Sequence, residues 1–322
     1  MRKIPFLPAI AGFFLMILSS APACAQASEN INNEITVSDI RNNMEYLASD
    51  ELAGRNTGSR EIEMAAEFIE GKFEEFRLQP YFETYRDSFM IGELHAFNIV
   101  GVVEGIDEKL KDEYIIIGAH YDHIGMGKPV DGDEIANGAN DNASGTIGVL
   151  ELAKHLGVHR ENKRSLMFVL FSGEEKGLKG SQHLAEKLKE ENLDLYAMVN
   201  LEMIGVPMKS KDYMAYITGY ENSNLAEKFN EYSGGDQVLG FLPQAKQLNL
   251  FKRSDNYPFY QEFKVPSQTI CTFDFTNYPY YHHVDDEAEL MDFEHMAMLL
   301  ENLLPGLLRM AETEEKEIKL ND

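Results

Sequence analysis

Three short runs constrain this chain more than anything else in it: EYIIIGA (113–119), SLMFVLF (165–171) and AMVNL (197–201). Each is almost wholly apolar and lacks the alternation of a strand with one wet face, so each needs cover on both sides. Further strand candidates lie at 97–103, 213–217 and 269–273, and helical patterns at 145–156, 180–190, 224–232 and 292–310 fall between the runs. The expectation is an α/β fold: a mostly parallel, mixed central sheet with helices on both faces, three layers deep. Ahead of the sheet, Ser38-Asp39 predicts a cap for a helix running to about Ala48, and Ser59 one for a helix through about Phe76. Residues 52–59 read as a loop and 312–322 as a solvated acidic tail, while 239–263 has no legible conformation. No repeat or Pro/Gly/Ser-rich linker divides residues 26–322, which are expected to form one domain.

The first 25 residues read as an address. Arg2 and Lys3 precede an uncharged stretch, Ala9 to Leu18 is apolar, and Ala23-Cys24-Ala25 offers a small-residue cleavage site. The apolar part is about half of the ~20 residues a spanning helix needs. A secretory signal peptide over 1–25 and export, to periplasm or exterior, are expected. Acylation of Cys24 is the rival. Ala21-Pro22-Ala23 fits it poorly, because a Leu-like residue usually stands three places before such a cysteine. No other stretch is long and apolar enough to cross a membrane.

Lys and Arg number 29 against 54 Asp and Glu, a formal charge of −25. That surplus repels phosphate backbones, and no basic run offsets it, so nucleic acid is not an expected partner. The two cysteines, Cys24 and Cys271, are too few for a disulfide scaffold or a thiolate zinc finger. Any metal must be held by imidazole and carboxylate.

Polar residues gather where the apolar runs end: His120, Asp122 and His123 after the first, Glu174-Glu175 after the second, Glu202 after the third. A Gly- and Asn-bearing loop around Asp141 opens a helix, and Tyr281-His282-His283 stands before Asp285-Asp286. In open α/β sheets, ligands gather beyond the carboxyl ends of strands. Singly, each feature is ordinary turn or surface chemistry. Together they are the donors zinc accepts when thiolates are absent.

In order, the segments AHYDH (119–123), NGANDNASG (137–145), FSGEEKGLKGS (171–181), NLEMIG (200–205), SDNYPF (254–259) and YHHVDD (281–286) resemble the M28 family of zinc-dependent exopeptidases. The resemblance implies two Zn2+ ions and a peptide or aminoacyl substrate. It implies His120 and Glu202 on one ion, Glu175 and His282 on the other, and Asp141 between them. Asp122 would hold the His120 ring, and Glu174 would be the general base for a water activated by both metals. Counting from the Asp pair prefers His282 to His283. A cis peptide after Asp141 is also a habit of the family. Two doubly charged ions, three carboxylates and one hydroxide sum to zero, as a partly buried cluster requires. Tyr281, Arg253 and Tyr257 are candidates to stabilise an oxyanion.

Two positions depart from the family pattern. Glu202 stands where Asp is usual, and Asn142 where a second Asp commonly follows the bridging one. A secreted aminopeptidase is the leading expectation. A carboxypeptidase or dipeptidase of the same fold, a glutaminyl cyclase and a non-catalytic binding relative are the alternatives.

Overall fold

A computed structural model describes residues 34–321 and Met1. The expected leader, its cleavage site and Cys24 lie outside the described residues. Among the described residues, no helix is long and apolar enough to cross a membrane.

Helix α1 (Val37–Leu47) is capped by Thr36, whose hydroxyl accepts the Asp39 N–H at 3.1 Å. The expected cap, Ser38, is therefore inside the helix. Helix α2 (Arg60–Glu75) starts at the predicted Ser59, which accepts the N–H groups of Glu61 and Ile62. Between them, the expected loop begins as a short 3-10 turn (Asp50–Arg55). The other helices are α3 (Ser144–His159), α4 (Lys179–Glu190), α5 (Leu225–Tyr232), α6 (Pro243–Gln247), α7 (Asn256–Phe263) and α8 (Phe293–Glu312).

The strands are β1 (Gln79–Pro80), β2 (Arg86–Ile91), β3 (Leu94–Val103), β4 (Glu113–His120), β5 (Gly125–Val130), β6 (Asp133–Ala136), β7 (Ser165–Phe171), β8 (Asp194–Glu202), β9 (Ala215–Ile217), β10 (Leu239–Gly240) and β11 (Ser267–Cys271). Among the described residues, the main sheet runs β1-β3-β7-β4-β8-β11-β9-β10 with β2 beside β3, and β5-β6 is a separate hairpin. The centre, β7-β4-β8-β11, is parallel. β3 pairs antiparallel with β7, and β9 with β11, so the sheet is parallel in the middle and mixed at its flanks.

Both faces are buried, with a clean period of two. Ile115 and Ile117, Leu166 and Phe168, and Val199 and Leu201 face the cluster built with α1, α2, α3 and α8. Ile116, Met167, Val169 and Met198 face Leu184 and Leu188 of α4 and Phe259 of α7. This is why the runs read as uninterrupted apolar sequence. The acidic end is not the free tail expected. Ile318 is buried, its N–H donates to the Tyr196 hydroxyl at 2.9 Å, and Leu320 bridges to Ser223. Ile318 docks its side chain, and beside it Glu317 takes the Tyr232 hydroxyl while Lys316 pairs with Asp194.

Candidate active site

β7, β4 and β8 are parallel neighbours, so the ends carrying Glu174-Glu175, His120 and Glu202 open on one side of the sheet. Residues 139–143 and the 274–287 segment reach the same place. Asp141 sits at the centre. Its Oδ1 is 3.4 Å from His120 Nε2, and its Oδ2 is 3.3 Å from His282 Nε2. His282 Nε2 is also 3.2 Å from Glu175 Oε2. Thus four of the five expected metal ligands meet around one carboxylate. His283 turns away, its Nδ1 accepting the Asp285 N–H at 3.1 Å.

Glu202 is placed differently. Its carboxylate takes the hydroxyl of Ser254, which Asn200 in turn holds at 2.9 Å. Burial pushes its carboxyl up to about 7, against the pull of His120. Burial likewise lifts Glu174 well above the ordinary carboxylate range, although His120 opposes it. Burial acts on Glu175 in the same direction, but the imidazoles of His123 and His282 overcome it and hold Glu175 low.

The role expected of Asp122 needs correction. His120 Nδ1 contacts the main-chain carbonyl of Asp122 at 3.0 Å, whereas the nearest carboxylate oxygen is 3.8 Å away. That carboxylate accepts the Thr57 hydroxyl at 2.8 Å and the N–H groups of Glu174 and Glu175 at 3.2 and 3.4 Å. It fixes the turn bearing the two glutamates, because two backbone N–H groups converge on it more directly than the ring does.

Several supports have no motif signal. Arg55, fully buried, donates to the carbonyls of Leu47, Tyr121, Asn137 and Gly138 and so ties the His120 and Asp141 segments together. Burial pushes its guanidinium down to about 10, with Asp286 and Asp122 opposing. Asn142 accepts the N–H groups of Gly145 and Met203 and donates to Leu201 O, an amide's work that Asp could do only in part. The Asp141–Asn142 peptide is cis.

His123 carries no role in the family resemblance, yet it is fully buried beside the cluster, Nδ1 3.0 Å from Glu175 Oε1. Donor atoms of His123, Asp141 and Glu175 all lie within 4.8 Å of one another. His120 Nε2, both His123 ring nitrogens and Glu175 Oε1 are buried without hydrogen-bond partners. Converging, unpartnered nitrogen and carboxylate donors fit a divalent cation such as zinc.

A cleft beside Glu202 is walled by Met203, Tyr216, Leu250, Arg253, Phe273 and Tyr281. Tyr281 stacks on His282, centroids 4.0 Å apart and planes at 21°. Tyr257 instead packs edge-on to Phe251 and lines a separate groove.

Residues 98–305 match the profile of peptidase family M28, and the chain belongs to that family. A probable leucine aminopeptidase of Trichophyton verrucosum is 30% identical over 213 residues, which are 62% of this chain and 53% of the relative. The chain spans between about a quarter and a half of the length of the curated relatives it matches. The fold is shared with a zinc aminopeptidase from Bacillus subtilis, TM-score 0.69 at 16% identity, covering 87% of this chain and 96% of that one. A glutaminyl cyclase from Porphyromonas gingivalis gives 0.66 at 16% identity, over 84% of this chain and 97% of its own. Fold likeness therefore does not choose between these chemistries.

Proposed function

We propose that the protein is an exported zinc aminopeptidase that binds two zinc ions and removes residues from the free amino end of peptides. The observation that carries this reading is the two-sided carboxylate of Asp141, with one oxygen toward His120 and the other toward His282, which in turn meets Glu175. His120, Asp141 and Glu202 would hold one ion, and Asp141, Glu175 and His282 the other. When bound, such a pair supplies Lewis acidity that makes water nucleophilic near neutral pH and polarises a carbonyl.

The chain's own residues do the rest. Glu174 takes a proton from the attacking water and gives it to the departing amine. The water's oxygen forms the new bond to the carbonyl carbon while the C–N bond breaks. Asp122 holds the Glu174 backbone and so fixes where that carboxylate sits. Tyr281 stands at the cleft beside His282, placed to donate its hydroxyl to a developing oxyanion, with Arg253 on the same wall. Residues 1–25 would direct the protein out of the cytoplasm and be cut away on the way.

Metal analysis combined with a substrate panel tests the reading. Two zinc equivalents and hydrolysis of aminoacyl amides only with a free amine are expected. Release of C-terminal residues from N-blocked peptides would make it a carboxypeptidase, and ring closure of N-terminal glutamine without hydrolysis a cyclase. The mass of the exported protein should correspond to an N-terminus at Gln26; a lipid-bearing Cys24 would replace the leader reading.

A further inference from the structure

His123 is the one imidazole of the cluster that the proposed ligand set leaves out, and its surroundings are built to hold it there. It is fully buried. Its backbone N–H donates to Arg55 O at 3.3 Å, and it pairs in a parallel bridge with Asn56. The ring lies against Gly138, where a Cβ would come within 2.6 Å of Cγ and Cδ2 and where φ is +61°. Only glycine leaves room for this ring at this backbone angle.

Its nitrogens are spent on nothing else. Neither makes a hydrogen bond, although Nδ1 lies 3.0 Å from Glu175 Oε1, out of line for one. A buried imidazole with both nitrogens idle is costly, because neither recovers the hydrogen bond it gave up to water. A cation would remove that cost. Zinc with bonds of about 2.0–2.1 Å sets tetrahedral donors about 3.4 Å apart. Around the Glu175 side the donor separations are 3.0 Å (His123 Nδ1 to Glu175 Oε1), 3.8 Å (His123 Nδ1 to Asp141 Oδ2), 3.2 Å (His282 Nε2 to Glu175 Oε2) and 3.3 Å (His282 Nε2 to Asp141 Oδ2). Each lies near the expected value, with Glu175 meeting the His123 ring through Oε1 and the His282 ring through Oε2. The two rings stand 5.6 Å apart at 70°, one on each side of the carboxylates.

We propose that His123 Nδ1 is a further protein ligand of the ion held by Asp141, Glu175 and His282, giving that ion two imidazoles and the His120 side one. The proposal rests on the two-metal reading. That ion would then have four protein donors, against the three that His120, Asp141 and Glu202 would give the other.

X-ray absorption on the zinc-loaded wild-type protein tests this without any variant. Three imidazoles shared between two ions are expected; two would overturn the proposal. Zinc titration against a competing chelator gives a second reading in His123→Ala and His123→Asn. The Asn amide keeps a nitrogen near the Nδ1 position that can hydrogen-bond Glu175 but is a poor zinc donor. Both variants should bind one equivalent at least tenfold more weakly, and their cobalt-loaded spectra should change for that equivalent alone. Wild-type affinity and spectrum in His123→Asn would mean that the ring only orients Glu175, and the proposal would fall. A wild-type protein that takes up no zinc would sink the metal reading itself, a different failure from two equivalents with two imidazoles.

Discussion

Oδ2 of Asp286 accepts the backbone N–H of Asp141 at 3.0 Å, tying the segment that carries His282 to the turn that carries the central carboxylate. Oδ1 takes the Asn140 N–H at 2.8 Å and the Tyr278 hydroxyl at 2.7 Å. Asp286 is fully buried, and burial lifts its carboxyl while these donors oppose the lift. Asp286→Ala should therefore lose at least about 2 kcal/mol of stability, since hydrogen bonds to a charged group are worth ~1.5–3 kcal/mol. It should also weaken zinc binding through displacement of Asp141. Urea unfolding and zinc titration check both. Unchanged zinc affinity in a folded variant would show that Asp141 holds its place without this tie.

Glu174→Gln should keep both zinc equivalents and lose roughly 10²–10⁴-fold in kcat, the usual size of a general-base deletion. The amide fills the same space but cannot accept the proton. If the variant lost a full equivalent, Glu174 and Glu175 would have to exchange roles.

Glu202→Ala should weaken the ion shared with His120 far more than the ion on the Glu175 side. The first would keep only one imidazole and a share of Asp141. Ser254→Ala should weaken the same ion by a smaller factor, ~10–100-fold, because it removes the hydroxyl that orients Glu202. Two tight equivalents in Glu202→Ala would remove Glu202 from the ligand set.

Away from the centre, Asp87 is fully buried and receives Asn98 Nδ2 at 3.0 Å and Lys187 Nζ at 2.8 Å, with His183 Nε2 at 3.3 Å. Burial raises its carboxyl, but the three partners together carry it below the ordinary value. A carboxylate depressed in the folded state contributes in full above its unfolded pKa of about 3.9, and the contribution is lost as pH falls through the folded value. Wild type should thus exceed Asp87→Asn by ~1–2 kcal/mol at pH 7, after allowance for the partly exposed Lys187 and His183. The gap in urea midpoints should shrink below pH 4. A constant gap down to pH 3 would assign the effect to packing.

What could be read from the chain followed from period and chemistry. The two-faced strands were legible because burial on both sides leaves no polar position in β7 beyond Ser165 or in the middle of β4. His120 and the Glu174-Glu175 pair were legible because polar groups just beyond strands have no packing use, whereas Asp141 and His282 lie in loops and were reached through the family resemblance. Arg55 was not, since its work is done through main-chain carbonyls, which leave no mark in the sequence. His123 escaped for a related reason: its place depends on the missing side chain of Gly138, a neighbour only in space. The role of the Asp122 carboxylate depended on where two amide groups point. The docked end at Ile318 was hidden by the charge around it.

The donors are spread from His120 to His282, with Asp286 behind them, while Arg55 and Thr57 act from near the beginning. A ribosome releases these parts in order, so β4 and β7 are made well before the segment that supplies the last imidazole. Long-range pairings of this kind form late, because distant ends must meet before any contact rewards them. The donor cluster is therefore a property of the finished chain: a nascent or clipped product ending short of residue 282 holds carboxylates that repel one another and lacks both His282 and the clasp on Asp141. Whatever chemistry the centre performs starts only after translation has passed that point.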